Sequence, residues 1–215
     1  MRERDTERGR GGREAVGDGQ RHELAVDRER VHSHLGALDV LLHEHDTTAT
    51  VDVARRAVEA VGIRNGPSYT QVRLGSDGPV VMEVAARLGG GHDAELCRAA
   101  LGVDLNALAV EAALAGRADV AQRGAEGLVG GAATVFLVPP EGRLLAVEGA
   151  AEAAASEGVV WVRVYRRPGH VFGELRRGAD RAGAVLATGE DRGEALARAR
   201  RAADAVRFRV DADAP

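Results

Sequence analysis

The sequence predicts an α+β fold, in which an antiparallel sheet with packed helices is followed by a small sheet-and-helix lobe. Three observations lead to this fold class. Apolar residues alternate on both sides of a GSDG turn at residues 75–78, which predicts a two-stranded ribbon. Helical patterns flank the ribbon, and short apolar strands with a terminal helix fill the C-terminal part of the chain.

Composition divides the chain into three segments. Residues 1–46 are polar, mixed in charge and of low complexity, so we expect them to be disordered or not native to the protein. Residues 47–118 form the first ordered unit, and residues 119–215 form the closing lobe.

Histidine pairs at residues 32 and 34 and at residues 43 and 45 flank a short apolar run within the first segment. A zinc site lacks support from cysteines or helical spacing, so a linker is the simpler interpretation. We favour a third interpretation, in which the start of the gene is truncated or misread in frame.

The first regular element is an amphipathic helix over residues 51–63. Its buried stripe runs from Val51 to Val61, and Gly62 ends it. After the ribbon, residues 94–101 have helical composition, and Cys97 is expected to be a buried spacer within them.

A further helix begins at Asp104, which is expected to cap it, and stops at Gly116. Its buried stripe starts at Leu105 and ends near Ala112. We expect this helix and the helix over residues 51–63 to pack on the apolar face of the ribbon.

The ribbon places two oxygen-bearing side chains opposite each other. A three- or five-residue loop about Asp77 pairs Gln71 with Glu83, while Val80 and Met82 fall on the apolar face. Opposed side chains lie about 4.5–5.5 Å apart at Cβ, close enough to share one ion. An amide carbonyl and a carboxylate are hard oxygen donors, which Mg²⁺ accepts beside phosphates and water.

Residues 88–93, LGGGHD, join the second strand to a helix. Successive glycines let the backbone approach a ligand, and the free amides of the following helix favour an anion. Such a loop alone is often plain geometry, and Glu83 alone would be an ordinary solvated residue. Their convergence with Gln71 and Arg87 on one side of the ribbon favours a functional site.

The C-terminal lobe shows a PPEG turn at residues 139–142 between two apolar strands, which predicts a hairpin. The remaining elements are a helix over residues 150–156, strands over 159–165 and 184–188, and a helix over 191–206. Basic residues at 166–170 and 176–181 form either a rim over the site or a solvated loop, and we favour the solvated loop.

Between residues 53 and 116 the sequence resembles the C-terminal half of an ATP-grasp domain, the fold of ATP-dependent carboxylate-amine ligases. That superfamily carries an acidic metal ligand, then a Glu-x-Asn-x-Arg or Glu-x-Ala-x-Arg strand end, then a glycine loop. Gln71 occupies the first place, and Glu83, Ala85 and Arg87 occupy the strand end. The GVDL stretch at residues 102–105 resembles the next helix start of the family.

The resemblance implies a role for each of these positions. Glu83 with Gln71 would bind Mg²⁺ that bridges the phosphates of ATP, and Arg87 would be the catalytic cation on the acyl phosphate or the substrate carboxylate. Gln71 stands where many members carry Glu or Asp, and Ala85 where many carry Asn. The residues implied to bind the cofactor are Gly89, Gly90, Gly91 and His92.

The implied function is an amino-acid type ligase that forms an acyl phosphate from ATP and a carboxylate with Mg²⁺, and then an amide. Its partners would be small-molecule carboxylate and amine substrates, and a homodimer is compatible with this interpretation. In the family the adenine pocket and the phosphate-holding lysines lie in the preceding half. This chain has no lysine, so we expect it to be incomplete and inactive alone. The alternative is a non-catalytic α/β interaction module or a ligase remnant.

Composition excludes several other classes. The single cysteine rules out an internal disulfide, and no apolar run reaches the ~20 residues that a membrane helix needs. The net charge of -4 and the interleaved charges of the N-terminal segment disfavour nucleic acid as a partner. We expect a cytoplasmic protein without a membrane partner.

Overall fold

The structure, a computed structural model, describes residues 23–27, 47–116 and 130–211. Within these ranges the chain forms nine strands and five α-helices. The strands are β1 (Glu23–Asp27), β2 (Tyr69–Gly75), β3 (Gly78–Ala85), β4 (Gly131–Leu137), β5 (Gly142–Glu148), β6 (Val159–Val164), β7 (Val171–Phe172), β8 (Gly183–Gly189) and β9 (Arg207–Asp211). The helices are α1 (Thr47–Ala60), α2 (Asp93–Leu101), α3 (Leu105–Ala115), α4 (Ala150–Ala154) and α5 (Arg192–Ala205).

All strand pairing in the described ranges is antiparallel, and it forms three sheets. One sheet has four strands in the order β1-β4-β8-β6, a second is the β2-β3 ribbon, and a third has the order β7-β5-β9. Helices pack on these sheets, so the predicted α+β fold class is confirmed.

The four-stranded sheet carries the main core, because β4 is buried throughout and β8 nearly so. One face of the sheet packs on α5 and the other on α2, and the contacting side chains are mostly alanine. Short side chains let α5 lie close to the sheet, and a Cβ on Gly131 would come within 2.5 Å of the Arg192 backbone nitrogen. The chain thus builds its core by close approach rather than with large aromatic residues.

The ribbon confirms the predicted pairing of Gln71 with Glu83, although a different geometry produces it. The turn has two residues between the paired Gly75 and Gly78, and a β-bulge interrupts the ladder at Met82. A two-residue turn with one extra residue on the second strand gives the same pairing as a three-residue loop.

The bulge also changes which ribbon residues face the helices. Val81 and Val84 lie on the covered face, whereas Val80 and Met82 are 51% and 58% exposed. The prediction that Val80 and Met82 lie on the apolar face was therefore wrong. A simple two-residue alternation does not hold across a bulge.

Helix α1 begins at Thr47, earlier than predicted, and ends at Ala60. Val51 and Ala54 are buried as expected, but Val61 lies beyond the helix end and is 61% exposed. Gly62 adopts a positive φ of 78° and its amide bonds to the Glu59 carbonyl, so the chain turns away there.

The expected packing of the helices on the ribbon holds for α1. Helix α3 instead packs on α2, so the prediction was wrong for α3, and α2 itself packs on β4, β1 and β8. The buried Leu96 and Ala100 of α2 fill the face of the four-stranded sheet opposite α5. Asp104 caps α3 as predicted, because its carboxylate accepts a hydrogen bond from the Ala107 amide at 3.0 Å.

The predicted hairpin about residues 139–142 was wrong. Strands β4 and β5 exist where expected, but β4 pairs with β1 and β8, and β5 pairs with β7 and β9. Pro139 and Pro140 have no N–H group to extend a ladder, and both edges of β4 are already occupied. Strands β7 and β9, which complete the third sheet, were not predicted from the sequence.

The other lobe elements confirm the expectations, including α4, β6, β8 and α5. Strand β1 lies within residues 1–46 and was not predicted. The histidine pairs of that segment lie outside the described residues, and the boundaries of the three segments stay predictions. Among the described helices none is long and apolar enough to cross a membrane.

We predict that Leu186→Ala lowers the free energy of unfolding by about 2–5 kcal/mol, because the Leu186 side chain is fully buried between the sheet and α2. Leu114→Ala is the matched control, since Leu114 is 84% exposed and its loss should cost under about 0.5 kcal/mol. Urea unfolding of the full chain measures both values. Equal losses in the two variants would contradict the described core.

Candidate functional site

A cleft of about 770 Å³ lies where the ribbon, the glycine loop and the C-terminal lobe meet. It contains the predicted site residues Gln71, Glu83 and Arg87, together with most of the glycine loop. Gly89 lies at the base of the loop rather than in the cleft wall. The full lining is Tyr69, Gln71, Glu83, Arg87, Gly90, Gly91, His92, Asp93, Phe136, Tyr165, Gly178 and Arg181.

The ribbon contributes the exposed side of the cleft. Glu83 forms an ion pair with Arg87 at 3.5 Å, and Arg87 also donates a hydrogen bond to the Leu88 carbonyl at 3.0 Å. The Gln71 side-chain amide donates to the Tyr69 hydroxyl at 3.2 Å. Glu83 and Arg87 are both largely solvated, so ligand atoms can reach them without rearrangement of the core.

The glycine loop is shaped by a close contact at its base. A Cβ on Gly89 would lie 1.8 Å from a carboxylate oxygen of Asp93 and 2.7 Å from the Tyr69 ring. Gly91 and His92 both have positive φ values, of 74° and 73°, and His92 is the N-cap residue of α2. Tyr69 therefore supports the loop, and it also lines the cleft.

The start of α2 does not act as an open anion site. Its first turn already carries the carboxylates of Asp93 and Glu95, which interact favourably with the helix N-terminus themselves. An anion in this cleft would therefore have to be held by side-chain cations and loop amides more than by the helix dipole.

His92 connects the glycine loop to the C-terminal lobe. Its Nε2 is in hydrogen-bond contact with the Tyr165 hydroxyl, and its Nδ1 lies 3.2 Å from Glu95. A proton on Nδ1 satisfies both contacts, because Nδ1 then donates to the carboxylate and Nε2 accepts from the hydroxyl. The imidazole also packs edge-on against Trp161, with ring centroids 4.8 Å apart.

An ion pair runs beside this contact. Arg163 on β6 donates to the Glu95 carboxylate at 2.8 Å and lies over the Trp161 ring. Partial burial raises the pKa of Glu95, but hydrogen bonds from Arg163 and His92 outweigh it and hold that pKa below its usual value. Two contacts thus hold the glycine loop and the start of α2 to the end of β6. One joins His92 to Tyr165, and the other is the ion pair between Glu95 and Arg163.

Two more ionisable groups of the cleft respond to burial. Burial raises the pKa of the Tyr165 hydroxyl, although Arg163 and Arg181 act in the opposite direction. Burial lowers the pKa of the Arg181 guanidinium from its usual value, and Tyr165 opposes that change. Tyr165 therefore stays protonated at neutral pH, and Arg181 stays charged at that pH.

The structure divides the basic residues of segment 176–181 between the two predicted alternatives. Arg176 and Arg177 are solvated and pair with Glu174 and Asp180. Arg181 instead lines the cleft, with its guanidinium 3.7 Å from the centre of the Phe136 ring. The favoured solvated-loop interpretation was correct for the first two residues and wrong for Arg181.

Sequence reasoning missed Phe136 and Tyr165 as site residues, and it also missed Arg163. A compositional signal was available, because the chain has only three Phe, two Tyr and one Trp. Phe136 and Tyr165 line the cleft together with Tyr69, and Trp161 packs on His92. The scarcity of aromatic residues was the available signal, whereas their grouping around the glycine loop is visible only in the fold.

The donor set fits Mg²⁺ in part. Gln71 and Glu83 oppose each other in register and offer one amide oxygen and one carboxylate. Among the described residues no group of three or more His, Cys, Asp or Glu side chains is arranged to hold a metal. A magnesium ion here would complete its shell with phosphate oxygens and water, which is its usual behaviour with nucleotides.

Comparison with known proteins supports the α+β fold described above. Residues 135–211 match the family model for the L-amino acid ligase C-terminal domain 2. A curated relative, Uncharacterized protein y4rH of Sinorhizobium fredii (strain NBRC 101917 / NGR234), is 32% identical over 162 residues, which are 74% of this chain and 33% of the relative.

Solved structures agree with these matches. The L-amino acid ligase from Bacillus licheniformis superposes with a TM-score of 0.68 at 26% identity, over 80% of this chain and 43% of that one. Phosphoribosylglycinamide synthetase from Anaerococcus prevotii has the same TM-score at 11% identity, over 80% and 44%, and shows the fold alone. The chain thus spans less than half the length of these relatives.

We predict that Gly89→Ala lowers the free energy of unfolding by about 1–3 kcal/mol, because the new methyl group would overlap Asp93 and the Tyr69 ring. Gly90→Ala is the control, since a Cβ there meets nothing within 4 Å. That variant should be unchanged, or more stable by up to about 1 kcal/mol. Urea denaturation separates the two, and equal stability would disprove the loop packing.

We predict that Glu95 stabilises the fold in a pH-dependent way. Its folded pKa is depressed, so its stabilisation is present above the unfolded value near 4.5 and is lost as the pH falls through the folded value. The stability difference between the wild type and Glu95→Gln should therefore shrink between about pH 7 and about pH 3.

A double-mutant cycle with Arg163→Met isolates the cause of that pH dependence. In the Arg163→Met background, the effect of Glu95→Gln should be smaller and should vary less with pH, because the main hydrogen bond is gone. An unchanged pH dependence in that background would show that Arg163 is not responsible.

Proposed function

Because the chain has the fold of the C-terminal portion of ATP-grasp ligases, we propose that it supplies the magnesium- and phosphate-binding side of an ATP-dependent carboxylate-amine ligase. The observation that carries this proposal is the cleft itself. It collects the Gln71–Glu83 pair, Arg87 and the glycine loop in one place, opposite a lobe that matches the ligase family model.

The proposed reaction has two steps. A carboxylate oxygen of the first substrate attacks the γ-phosphorus of ATP, the bond from phosphorus to the β,γ-bridging oxygen breaks, and ADP leaves. The nitrogen of an amine then attacks the acyl carbon, the bond from carbon to the phosphate oxygen breaks, and the nitrogen loses a proton. The products are an amide, ADP and phosphate.

Such a reaction requires alignment and charge neutralisation more than a nucleophile from the protein. When bound, Mg²⁺ supplies positive charge that offsets the phosphate oxygens. Glu83 and Gln71 would hold the metal, while Arg87 would orient the acyl phosphate or the substrate carboxylate. The amides of Gly90 and Gly91 would approach phosphate oxygens, because no side chain blocks the backbone there.

The Glu83–Arg87 ion pair is consistent with this division of roles. Solvated ion pairs contribute only about 0–1 kcal/mol, so the pair gives way at small cost when a metal binds the carboxylate and an anion binds the guanidinium. The 3.5 Å separation already marks a loose contact. In the ligand-free chain, the pair satisfies both charges until the ligands arrive.

We propose that at least one of the joined molecules is an L-amino acid. The support is the name of the matching family model and of the ligase from Bacillus licheniformis. The proposal assigns adenine recognition to the preceding half of an ATP-grasp domain, which the described residues do not include. The activity of a whole ligase is therefore proposed for this chain only together with such a half.

We predict that the full chain binds ATP in a Mg²⁺-dependent way and that Glu83→Gln weakens this binding at least about tenfold, because a metal ligand is lost. Isothermal titration calorimetry with Mg-ATP, and with ATP in the presence of EDTA, measures the metal-dependent part. Glu148→Gln is the matched control, since Glu148 is also an exposed strand carboxylate paired with an arginine, at 3.2 Å.

Glu148 lies on β5, in another sheet, and its replacement should leave ATP binding unchanged. Metal-dependent binding that survives in Glu83→Gln would contradict the assigned metal site. Absence of binding in the wild type would favour the alternative, a non-catalytic α/β interaction module or a ligase remnant.

A further inference from the structure

Arg181 is a cation without a counter-charge at the wall of the cleft. Its guanidinium carbon lies 3.7 Å from the centre of the Phe136 ring, its Nε is buried without a hydrogen-bond partner, and no carboxylate among the described residues pairs with it. Its neighbours Arg163 and Arg87 are both paired, with Glu95 and Glu83. Of these three arginines, Arg181 alone keeps its charge and its donors available.

The backbone holds Arg181 in this position. The next residue, Ala182, is fully buried, and its amide donates to the Leu137 carbonyl at 2.9 Å. The Ala182 carbonyl in turn accepts from the Tyr165 amide at 2.7 Å. The segment that carries Arg181 is therefore fastened to the ends of both β4 and β6.

The neighbouring groups suit an anion. The Tyr165 hydroxyl lines the same cleft and, with its proton donated to His92, adds no negative charge there. The contact with the Phe136 ring positions the guanidinium, and its two terminal nitrogens make no hydrogen bond within the described residues. A planar fork of donors matches the two oxygens of a carboxylate or of a phosphoryl group.

We infer that Arg181 is an oxyanion-binding residue of the cleft, which takes a carboxylate or phosphoryl group of a reactant through a two-pronged hydrogen bond. Its place is on the C-terminal lobe, opposite Glu83 and Arg87 on the ribbon. The identity of the anion as a ligase reactant rests on the proposed function. The inference that Arg181 binds an oxyanion does not depend on the proposed function.

We predict that the full chain, without Mg²⁺ or nucleotide and at low ionic strength, binds inorganic phosphate or acetate saturably. Arg181→Met should weaken that binding about ten- to hundredfold, the loss typical of a charged hydrogen-bond donor. Arg176→Met is the control, because Arg176 is exposed and pairs with Glu174 in the same segment. Isothermal titration calorimetry measures all three proteins with each anion.

The preferred anion identifies the source of the bound group. Tighter binding of phosphate assigns Arg181 to a phosphoryl group, and tighter binding of acetate assigns it to a substrate carboxylate. The inference is overturned when neither anion binds, or when Arg181→Met binds as tightly as the wild type.

A second measurement uses only the wild type and so does not depend on how a variant folds. Phenylglyoxal modifies accessible arginines, and mass spectrometry reports the rate at each site. The anion that binds should slow modification at Arg181 and leave Arg176 unaffected. Equal rates at Arg181 with and without the anion would also overturn the inference.

The two proposals can fail separately. Loss of Mg-ATP binding in Glu83→Gln without any effect of Arg181→Met on anions would leave the ligase proposal intact and remove this inference. Arg181-dependent anion binding in a chain that never binds Mg-ATP would do the reverse.

Discussion

The cleft depends on the register of the four-stranded sheet. Strands β4 and β6 both run antiparallel to β8 and flank it, so their C-terminal ends meet the start of β8 at one edge, where Leu137 and Val164 both pair with Gly183. Phe136, Tyr165 and Arg181 lie at this edge. Only glycine fits at the junction, because a Cβ on Gly183 would lie 2.3 Å from the Arg163 carbonyl oxygen.

Residues close together in the chain made much of the ribbon predictable from the sequence. The GSDG turn and the alternation around it were enough to place Gln71 opposite Glu83, whereas the bulge at Met82 has no sequence signal that tells it from ordinary alternation. The prediction of a β4–β5 hairpin failed because each strand pairs with strands that are distant in the chain, despite the strong local turn signal between them. Tyr165 and Arg181 join the site through that distant pairing, which no short motif encodes.

Apart from histidine, every basic side chain of this sequence is an arginine. Three arginines in or near the cleft have different surroundings and therefore different roles. Arg163 is held between Glu95 and Trp161, and it braces the glycine loop. Arg87 lies in solvent with a loosely bound partner that ligands can replace. Arg181 stacks on Phe136 and keeps its donors unused. Planarity permits the stacked arrangement, which a lysine would not reproduce.

The two ion pairs in and beside the cleft differ in how tightly they are held. The tighter pair supports the glycine loop, and the looser pair is the one proposed to bind ligands. Glu95 and Arg163 lie 2.8 Å apart, and His92 contacts the same carboxylate, so removal of one partner disturbs several contacts. Glu83 and Arg87 lie 3.5 Å apart on an exposed strand end, and each can exchange its partner for a ligand at small cost. A braced loop beside an easily exchanged pair suits the phosphate chemistry that we propose for the cleft. The loop amides would stay in place on binding of the proposed ligand, because no part of their support would have to break.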